Sequence, residues 1–177
     1  MHKFTPAAEG EATVFGASRP GYSSNDVPAD AVVEWISFMR RNGIKRVCCL
    51  LPPDQLTHYR TNLLNMYMEE FGEDRVCHAP IKDYHLSSAT NLRRKIIPFL
   101  EASVAAGEPV VVHCSGGSGR TGHVLAAWLI RSRACSPGEA ISLVETTGRN
   151  PREAVQCGNA TESELVELLA SATLDGA

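Results

Sequence analysis

Apolar residues along the chain fall into short runs separated by glycine, proline and polar clusters, and these runs predict alternating strands and helices. Short continuous apolar runs bounded by turn residues are typical of buried strands. Strands are predicted at residues 12–18, 44–51, 75–79 and 109–113.

Helical periodicity and helix-start signals fill the segments between and after these strands. Helices are predicted at residues 28–42, 53–71, 88–106, 121–133, 136–147 and 161–172. Pro98 predicts a kink or a break in the third of them. The sequences beginning at Ser136 and Thr161 each place a glutamate three residues later, which predicts two capping boxes.

This order of elements predicts an α/β fold with a central, mostly parallel sheet of four to five strands flanked by helices. The 177 residues fit a single domain covering residues 1–177. The polar residues 1–12 are expected to be loose. Trp35 and Trp128 lie within helical patterns and are predicted to belong to the core.

Composition narrows the functional classes. The net charge of −3 argues against a nucleic-acid binder, which would be basic. We find no apolar stretch long enough to span a membrane and no signal-peptide core in residues 1–30, so we expect a cytoplasmic protein. The six cysteines lack a paired zinc-binding spacing, and we expect no metal ion.

Residues 113–122, His-Cys-Ser-Gly-Gly-Ser-Gly-Arg-Thr-Gly, are the most informative segment for chemistry. They join the predicted strand 109–113 to the predicted helix 121–133. A glycine-rich turn at a helix N-terminus directs backbone N–H groups into one concave space and binds oxyanions such as phosphate. The same N–H dipoles favour the thiolate form of Cys114. Arg120, at the end of the turn, is suited to hold two phosphate oxygens.

This segment resembles the active-site motif of the cysteine-dependent protein tyrosine phosphatases, in which His-Cys is followed by five residues, Arg, and Ser or Thr. The small size is similar to that of the dual-specificity branch. The matching residues are His113, Cys114, Gly117, Gly119, Arg120, Thr121 and Gly122. The resemblance implies attack of Cys114 on phosphorus, a phosphocysteine intermediate and its hydrolysis by water, without a metal ion or another cofactor.

The resemblance also implies roles for the other residues of the motif. The Thr121 hydroxyl would hydrogen-bond to the sulfur and help it leave, and His113 would fix the loop and the thiolate. The substrate phosphate would be bound by the loop itself. The residues implied in phosphate binding are Ser115, Gly116, Gly117, Ser118, Gly119 and Arg120.

The family's general acid is an aspartate on a loop about thirty residues before the cysteine. Asp83 has this spacing and follows the predicted strand 75–79, at the end of a strand where active sites of α/β proteins collect. Asp54 and Asp74 are rival candidates. They lie near the beginnings of predicted elements, which is the less favourable position.

Residues 149–156 resemble a family loop, Arg-Pro-x-Ala-Val, that lies beside the active site. Relatives often carry a glutamine about six residues past this alanine, and it places the hydrolytic water. Ala160 stands there in this chain, while the amides Gln156 and Asn159 do not match the spacing, so the residue that positions water is left unassigned. Arg149 and Arg152 are interpreted either as a second phosphate site or as ordinary surface arginines.

Two further alternatives stay open. Gly117 to Gly122 also reads as the dinucleotide fingerprint GxGxxG, but it occurs late in the chain and lacks the acidic residue at the end of a following strand. In the resembled family a second cysteine sometimes protects an oxidised nucleophile by a disulfide. Cys48 and Cys49 are candidates for this, although plain core packing also explains them.

The expected substrate is a phosphoprotein, with phosphotyrosine first and phosphoserine or phosphothreonine as further substrates. The variable loop positions 115–119 carry no basic residue, whereas relatives acting on phosphoinositides tend to place lysines there. The alternatives are a phosphatase for a non-protein phosphoester, such as an inositol phosphate or an RNA 5′ end, and a catalytically weak phosphate-binding module.

Overall fold

One five-stranded sheet organises the computed structural model of the protein, which describes residues 2–173. The strands are β1 (Thr5–Pro6), β2 (Val14–Ser18), β3 (Arg46–Cys49), β4 (Val76–His78) and β5 (Val110–Cys114). Their order across the sheet is β1-β2-β5-β3-β4, and only the β1–β2 pair is antiparallel. The predicted central, mostly parallel sheet of four to five strands flanked by helices is therefore confirmed.

The helices cover both faces of this sheet. They are α1 (Ala29–Arg41), α2 (Pro53–Leu56), α3 (Leu63–Phe71), α4 (Ala89–Asn91), α5 (Ile97–Ala105), α6 (Gly119–Arg133), α7 (Pro137–Glu145), α8 (Glu153–Gln156) and α9 (Glu162–Ala170). Apolar residues of α5, α6, α7 and α9 form a core on one face, and those of α1 and α3 form a core on the other. Trp128 belongs to the first core and Trp35 to the second, as predicted.

Strand β5 lies in the middle of the sheet, and its residues are fully or almost fully buried on both faces. Val110, Val112 and Cys114 contribute to the α6 side, while Val111 contributes to the α1 side. Because the carboxyl ends of parallel strands meet at one edge of the sheet, the loops that follow β2, β3, β4 and β5 meet there as well.

The segment predicted as one helix over residues 53–71 is two helices, so that prediction is wrong between α2 and α3. Val27 forms a parallel bridge with Tyr59 in the connecting loop, and its N–H and C=O bond to His58 and Arg60. Asn62 then caps α3 by accepting the Asn65 N–H at 3.1 Å. The asparagine cap was the sequence signal for this break.

One other helix prediction is wrong in detail, and the predicted capping boxes are confirmed. The helical segment predicted over 88–106 is interrupted by a π-helical turn, Leu92–Ile96, which leaves Pro98 in the first turn of α5, where its missing N–H is tolerated. Both predicted capping boxes are present, at the starts of α7 and α9.

The N-terminal residues are not loose, contrary to expectation. They supply β1 at the edge of the sheet, and Ala7 and Ala8 are completely buried in the α6-side core. Among the described residues, no helix combines the length and the apolar character needed to cross a lipid bilayer.

Candidate active site

The loop from β5 into α6 has donors for several of its backbone carbonyls. One donor comes from β5, two come from Arg19 and Arg149 in distant segments, and two come from α6. The pairs are His113 Nδ1 to Cys114 O (3.2 Å), Arg19 N to Ser115 O (3.0 Å), Arg149 Nη1 to Gly117 O, Gly122 N to Ser118 O (2.7 Å) and His123 Nδ1 to Gly119 O (3.1 Å). The loop carbonyls are thus turned toward the body of the protein.

This orientation of the carbonyls fixes the direction of the amide groups. In a trans peptide the C=O of one residue and the N–H of the next point in opposite directions, and the described residues contain no cis peptide. Carbonyls that turn inward to the protein therefore turn the following N–H groups toward solvent and the cleft. The Gly119 N–H is consistent with this rule, because it stabilises the charged form of the Glu153 carboxylate, and Glu153 lines the cleft. Such a ring of N–H groups at a helix N-terminus suits a tetrahedral oxyanion.

Two buried guanidinium groups hold the loop from behind. Arg149 donates to the Gly117 carbonyl, to Lys3 O (3.0 Å) and to Thr5 Oγ1 (2.9 Å), which ties the N-terminal segment to the loop. Burial lowers the pKa of Arg149 to about 10, so the group remains a cation at neutral pH. Arg149 is therefore neither a surface arginine nor a second phosphate site, because it is buried and its hydrogen bonds support the loop; we call such a residue a brace.

Arg19 is the second brace, and the sequence analysis did not select it. Besides its backbone bond, its Nε donates to Ser115 Oγ at 3.1 Å and its Nη2 donates to Ser24 O at 2.6 Å. Arg152, in contrast, lies at the surface in ion pairs with Glu145 and Glu162.

Gly117 shows why the loop needs glycine. Its φ of +66° is in the left-handed region, and a Cβ there would lie 2.5 Å from the carbonyl oxygen of Ala17 in β2. The loop can approach β2 this closely only without a side chain. Gly117 therefore packs beneath the cleft, whereas Ser115, Gly116, Ser118 and Gly119 line it.

His113 lies behind the loop, completely buried. Its Nδ1 donates to the Cys114 carbonyl, and its Nε2 accepts the Tyr67 hydroxyl at 3.2 Å. Burial lowers the pKa of His113 to about 4, which keeps the ring neutral. The hydrogen bond to the loop matches the expectation, but it reaches the carbonyl of Cys114 rather than the sulfur.

Thr121 is completely buried in the first turn of α6. Its hydroxyl has no hydrogen-bond partner among the described residues. The hydrogen bond from Thr121 to the Cys114 sulfur that the sequence predicted is therefore not formed in this structure.

The Arg120 guanidinium is almost fully buried and is held by three groups. Its Nη2 pairs with Asp83 Oδ1 at 2.7 Å, and its Nη1 donates to Gln55 Oε1 at 2.8 Å and to Ile81 O at 3.2 Å. Gln55 donates in turn to Asp83 Oδ2 at 2.8 Å. Gln55 therefore orients both the arginine and the aspartate, and no local pattern identifies it in the sequence.

Asp83 lies in the turn after β4, as predicted, and further contacts fix that turn. His85 Nδ1 donates to the Asp83 carbonyl at 2.7 Å, and Asn159 Nδ2 donates to the Tyr84 carbonyl at 3.0 Å. Tyr84 itself has a left-handed φ of +58°. Asn159 thus holds the loop that carries Asp83.

A cleft of about 540 Å³ brings these parts together. Cys114, Arg120 and Asp83 line it, while the rivals Asp54 and Asp74 do not. The remaining lining residues are Lys3, Ser18, Tyr22, Tyr84, Ser115, Gly116, Ser118, Gly119 and Glu153. Lys3 and Tyr22 were not predicted, because they lie in segments far from the motif. Glu153 lies in residues 149–156, which the resemblance placed beside the active site, but no role was assigned to it.

The other cysteines are separate from this cleft. Cys48 and Cys77 face each other across β3 and β4 and their thiols hydrogen-bond, and all six cysteines are free. The contact of Cys48 in the structure is thus with Cys77. Burial raises the pKa of the Cys49 thiol to about 12.

The sheet, the loop and the arginine define a member of the protein tyrosine phosphatase superfamily of the small dual-specificity type. The chain belongs to the DSP-PTPase phosphatase family of polymorphic toxin systems, whose family model matches residues 16–134. A 51-residue stretch is 43% identical to the uncharacterized protein MJECL20 of Methanocaldococcus jannaschii. It covers 29% of this chain and 34% of that protein, so the match spans about a third of the relative's length.

Solved structures share this fold over nearly the whole chain. The active form of Tk-PTP is 27% identical, with a TM-score of 0.68 and coverage of 95% of this chain and 97% of that one. PTPMT1 in complex with PI(5)P is 16% identical, with a TM-score of 0.70 and 96% coverage of both chains. Kinase associated phosphatase with its catalytic-site cysteine changed to serine is 24% identical, with a TM-score of 0.64 and coverage of 88% and 83%.

A second buried histidine, His123, makes the stability of the protein depend on pH. His123 in α6 donates from Nδ1 to Gly119 O and accepts the Ser87 N–H at Nε2, 3.1 Å away, so it joins the loop to the segment after Asp83. Burial lowers the pKa of His123 from 6.5 to about 4. Between these pH values the unfolded chain binds a proton that the folded chain excludes. The contribution of His123 to the free energy of unfolding is therefore fully present above pH 6.5 and is lost as the pH falls toward 4.

We expect His123→Gln to be less stable than the wild type at pH 7 but less sensitive to acid. Between pH 7 and pH 5, its free energy of unfolding should fall by roughly 2 kcal/mol less than that of the wild type. Urea unfolding at the two pH values measures the difference. Equal losses in both proteins would contradict a neutral buried His123.

Proposed function

We propose that the protein hydrolyses phosphotyrosine in proteins, and to a lesser extent phosphoserine and phosphothreonine, through a phosphocysteine intermediate. The observation that carries this proposal is the meeting of Cys114, Arg120 and Asp83 at one cleft. They come from the end of β5, the start of α6 and the turn after β4. A nucleophile, an anion clamp and a proton donor are the groups that cleavage of a phosphate ester requires.

The first step follows from this arrangement. The Cys114 thiolate attacks phosphorus, the sulfur–phosphorus bond forms, and the bond to the ester oxygen breaks as Asp83 gives that oxygen a proton. The loop N–H groups and the guanidinium of Arg120 hold the three other phosphate oxygens. In the second step water attacks phosphorus, Asp83 accepts a proton from it, and the sulfur leaves as thiolate. The Thr121 hydroxyl is buried and has no hydrogen-bond partner within residues 2–173, and in this step it would donate to the sulfur.

Arg120 and Asp83 must change partners during this cycle. Their ion pair uses the same Nη2 group that would hold a phosphate oxygen. A bound phosphate dianion competes with the Asp83 carboxylate for that group. Its binding therefore releases Asp83 from the arginine. The freed carboxylate takes up a proton from solvent and lies beside the leaving oxygen as the acid. Gln55 contacts both side chains, so it holds each of them near the cleft after their ion pair has opened.

The rim of the cleft favours an aromatic leaving group on a protein. Tyr22 and Tyr84 line it and are 57% and 52% exposed, which offers two aromatic faces to a phenyl ring. Lys3 contributes a cationic side chain to the cleft, and Asp83 and Glu153 contribute two carboxylates. This balance of charge is unfavourable for a polyphosphorylated lipid headgroup.

A substrate panel tests the proposal. We expect hydrolysis of a phosphotyrosine peptide to exceed that of the same peptide with phosphoserine, and to exceed that of phosphoinositides and of an RNA 5′ phosphate. Phosphate release is the measurement, and Cys114→Ser should remove it for every substrate. Faster hydrolysis of phosphoinositides or RNA than of the peptides would reject a protein substrate, and release by Cys114→Ser would reject the intermediate.

The role of Asp83 gives a separate prediction. Asp83→Asn should lower kcat/KM by about 10²-fold or more for phenyl phosphate, a poor leaving group, because no proton reaches its oxygen. An activated ester such as p-nitrophenyl phosphate should lose much less. Asp54→Asn is the matched control and should change neither rate. Equal losses with both esters in Asp83→Asn would remove Asp83 from the acid role.

A further inference from the structure

Glu153 places a carboxylate inside the anion-binding loop. It opens α8 and lines the cleft, and the Gly119 backbone N–H stabilises the charged form of its carboxylate. The contact is close, since a Cβ on Gly119 would lie 2.0 Å from Glu153 Oε2. Only glycine at residue 119 leaves room for this carboxylate.

The charges around Glu153 are those that face a phosphate in this cleft. Burial raises the pKa of Glu153, and so does the neighbouring carboxylate of Asp83. Arg120, the Gly119 N–H and Lys3 act in the opposite direction by stabilising the charged form. A carboxylate held by a loop N–H beside Arg120 makes the same kinds of contact as a phosphate oxygen.

We propose that Glu153 is a built-in competitor of phosphate, whose carboxylate takes the Gly119 N–H that a phosphate oxygen needs and so weakens the binding of inorganic phosphate. One N–H cannot serve both acceptors fully. In addition, the carboxylate repels a phosphate dianion that binds within a few ångströms of it. Bound phosphate and the Glu153–Gly119 contact therefore exclude each other.

This competition determines which anions the site accepts. Inorganic phosphate has only the loop and Arg120 to offset the loss of the Glu153 contact. A phosphomonoester also contacts the rim, including Tyr22 and Tyr84, through its organic group. The site therefore binds phosphomonoesters in preference to inorganic phosphate. The Glu153 carboxylate then displaces the free phosphate that remains after hydrolysis. The part that concerns product release rests on the proposed function, whereas the weakened phosphate binding does not.

Calorimetric titration with inorganic phosphate tests the inference without turnover. Glu153→Gln keeps an acceptor for the Gly119 N–H but removes the charge, and Glu153→Ala removes both. Both variants should bind phosphate at least about tenfold more tightly than the wild type. Glu69→Gln, which removes an exposed carboxylate on α3, is the matched control for net charge and should bind like the wild type.

Inhibition of aryl phosphate hydrolysis by inorganic phosphate is the second measurement. The inhibition constant for phosphate should fall in Glu153→Gln by the factor seen in calorimetry, while KM for the aryl phosphate falls less. Phosphate binding in Glu153→Gln that equals or is weaker than that of the wild type would overturn the inference. So would equal tightening in Glu69→Gln. A wild type that binds phosphate but hydrolyses no ester would reject the proposed function and leave the calorimetric comparison valid.

Discussion

A loop that turns its amide N–H groups toward one point must turn its carbonyl oxygens away from it, and buried oxygens need donors of their own. In this protein two of the donors, Arg149 and Arg19, come from distant parts of the chain, and two, His113 and His123, are close to the loop in the chain. Arg149 bonds to Gly117, Arg19 to Ser115, and the two neutral histidines bond to Cys114 and Gly119. The anion-binding geometry therefore depends on the fold as a whole.

The same contacts connect catalysis with folding. The Arg149 guanidinium also bonds to Lys3 and Thr5, so the N-terminal segment and β1 are joined to the loop. His123 bonds to Ser87, which lies after Asp83 in the chain. The buried guanidinium of Arg149 lies near Cys114 as well as holding the loop. Damage to these remote contacts is expected to affect the site before it unfolds the protein.

Local sequence was sufficient for the parts of the site that lie in one segment. The strand, the glycine-rich turn and the helix around Cys114 follow from residues 109–133, and the spacing of Asp83 located its turn. Contacts between distant segments were not predictable from local patterns. Gln55 lies 65 residues from Arg120 in the chain. The resemblance placed residues 149–156 beside the site, but the approach of Glu153 to Gly119 depends on the packing of α8 beside α6. The break between α2 and α3 had a local signal in the Asn62 cap, whereas its bridge to Val27 is a distant contact.

Alkylation with iodoacetate tests most directly the proposal that this loop holds Cys114 as the nucleophile of an anion-binding site. Cys114 is only 3% exposed, whereas Cys157 is exposed and serves as the internal standard. We predict that at pH 7 Cys114 reacts at least about tenfold faster than Cys157, and that inorganic phosphate slows only Cys114. Faster labelling of Cys157, with no effect of phosphate on Cys114, would contradict the account.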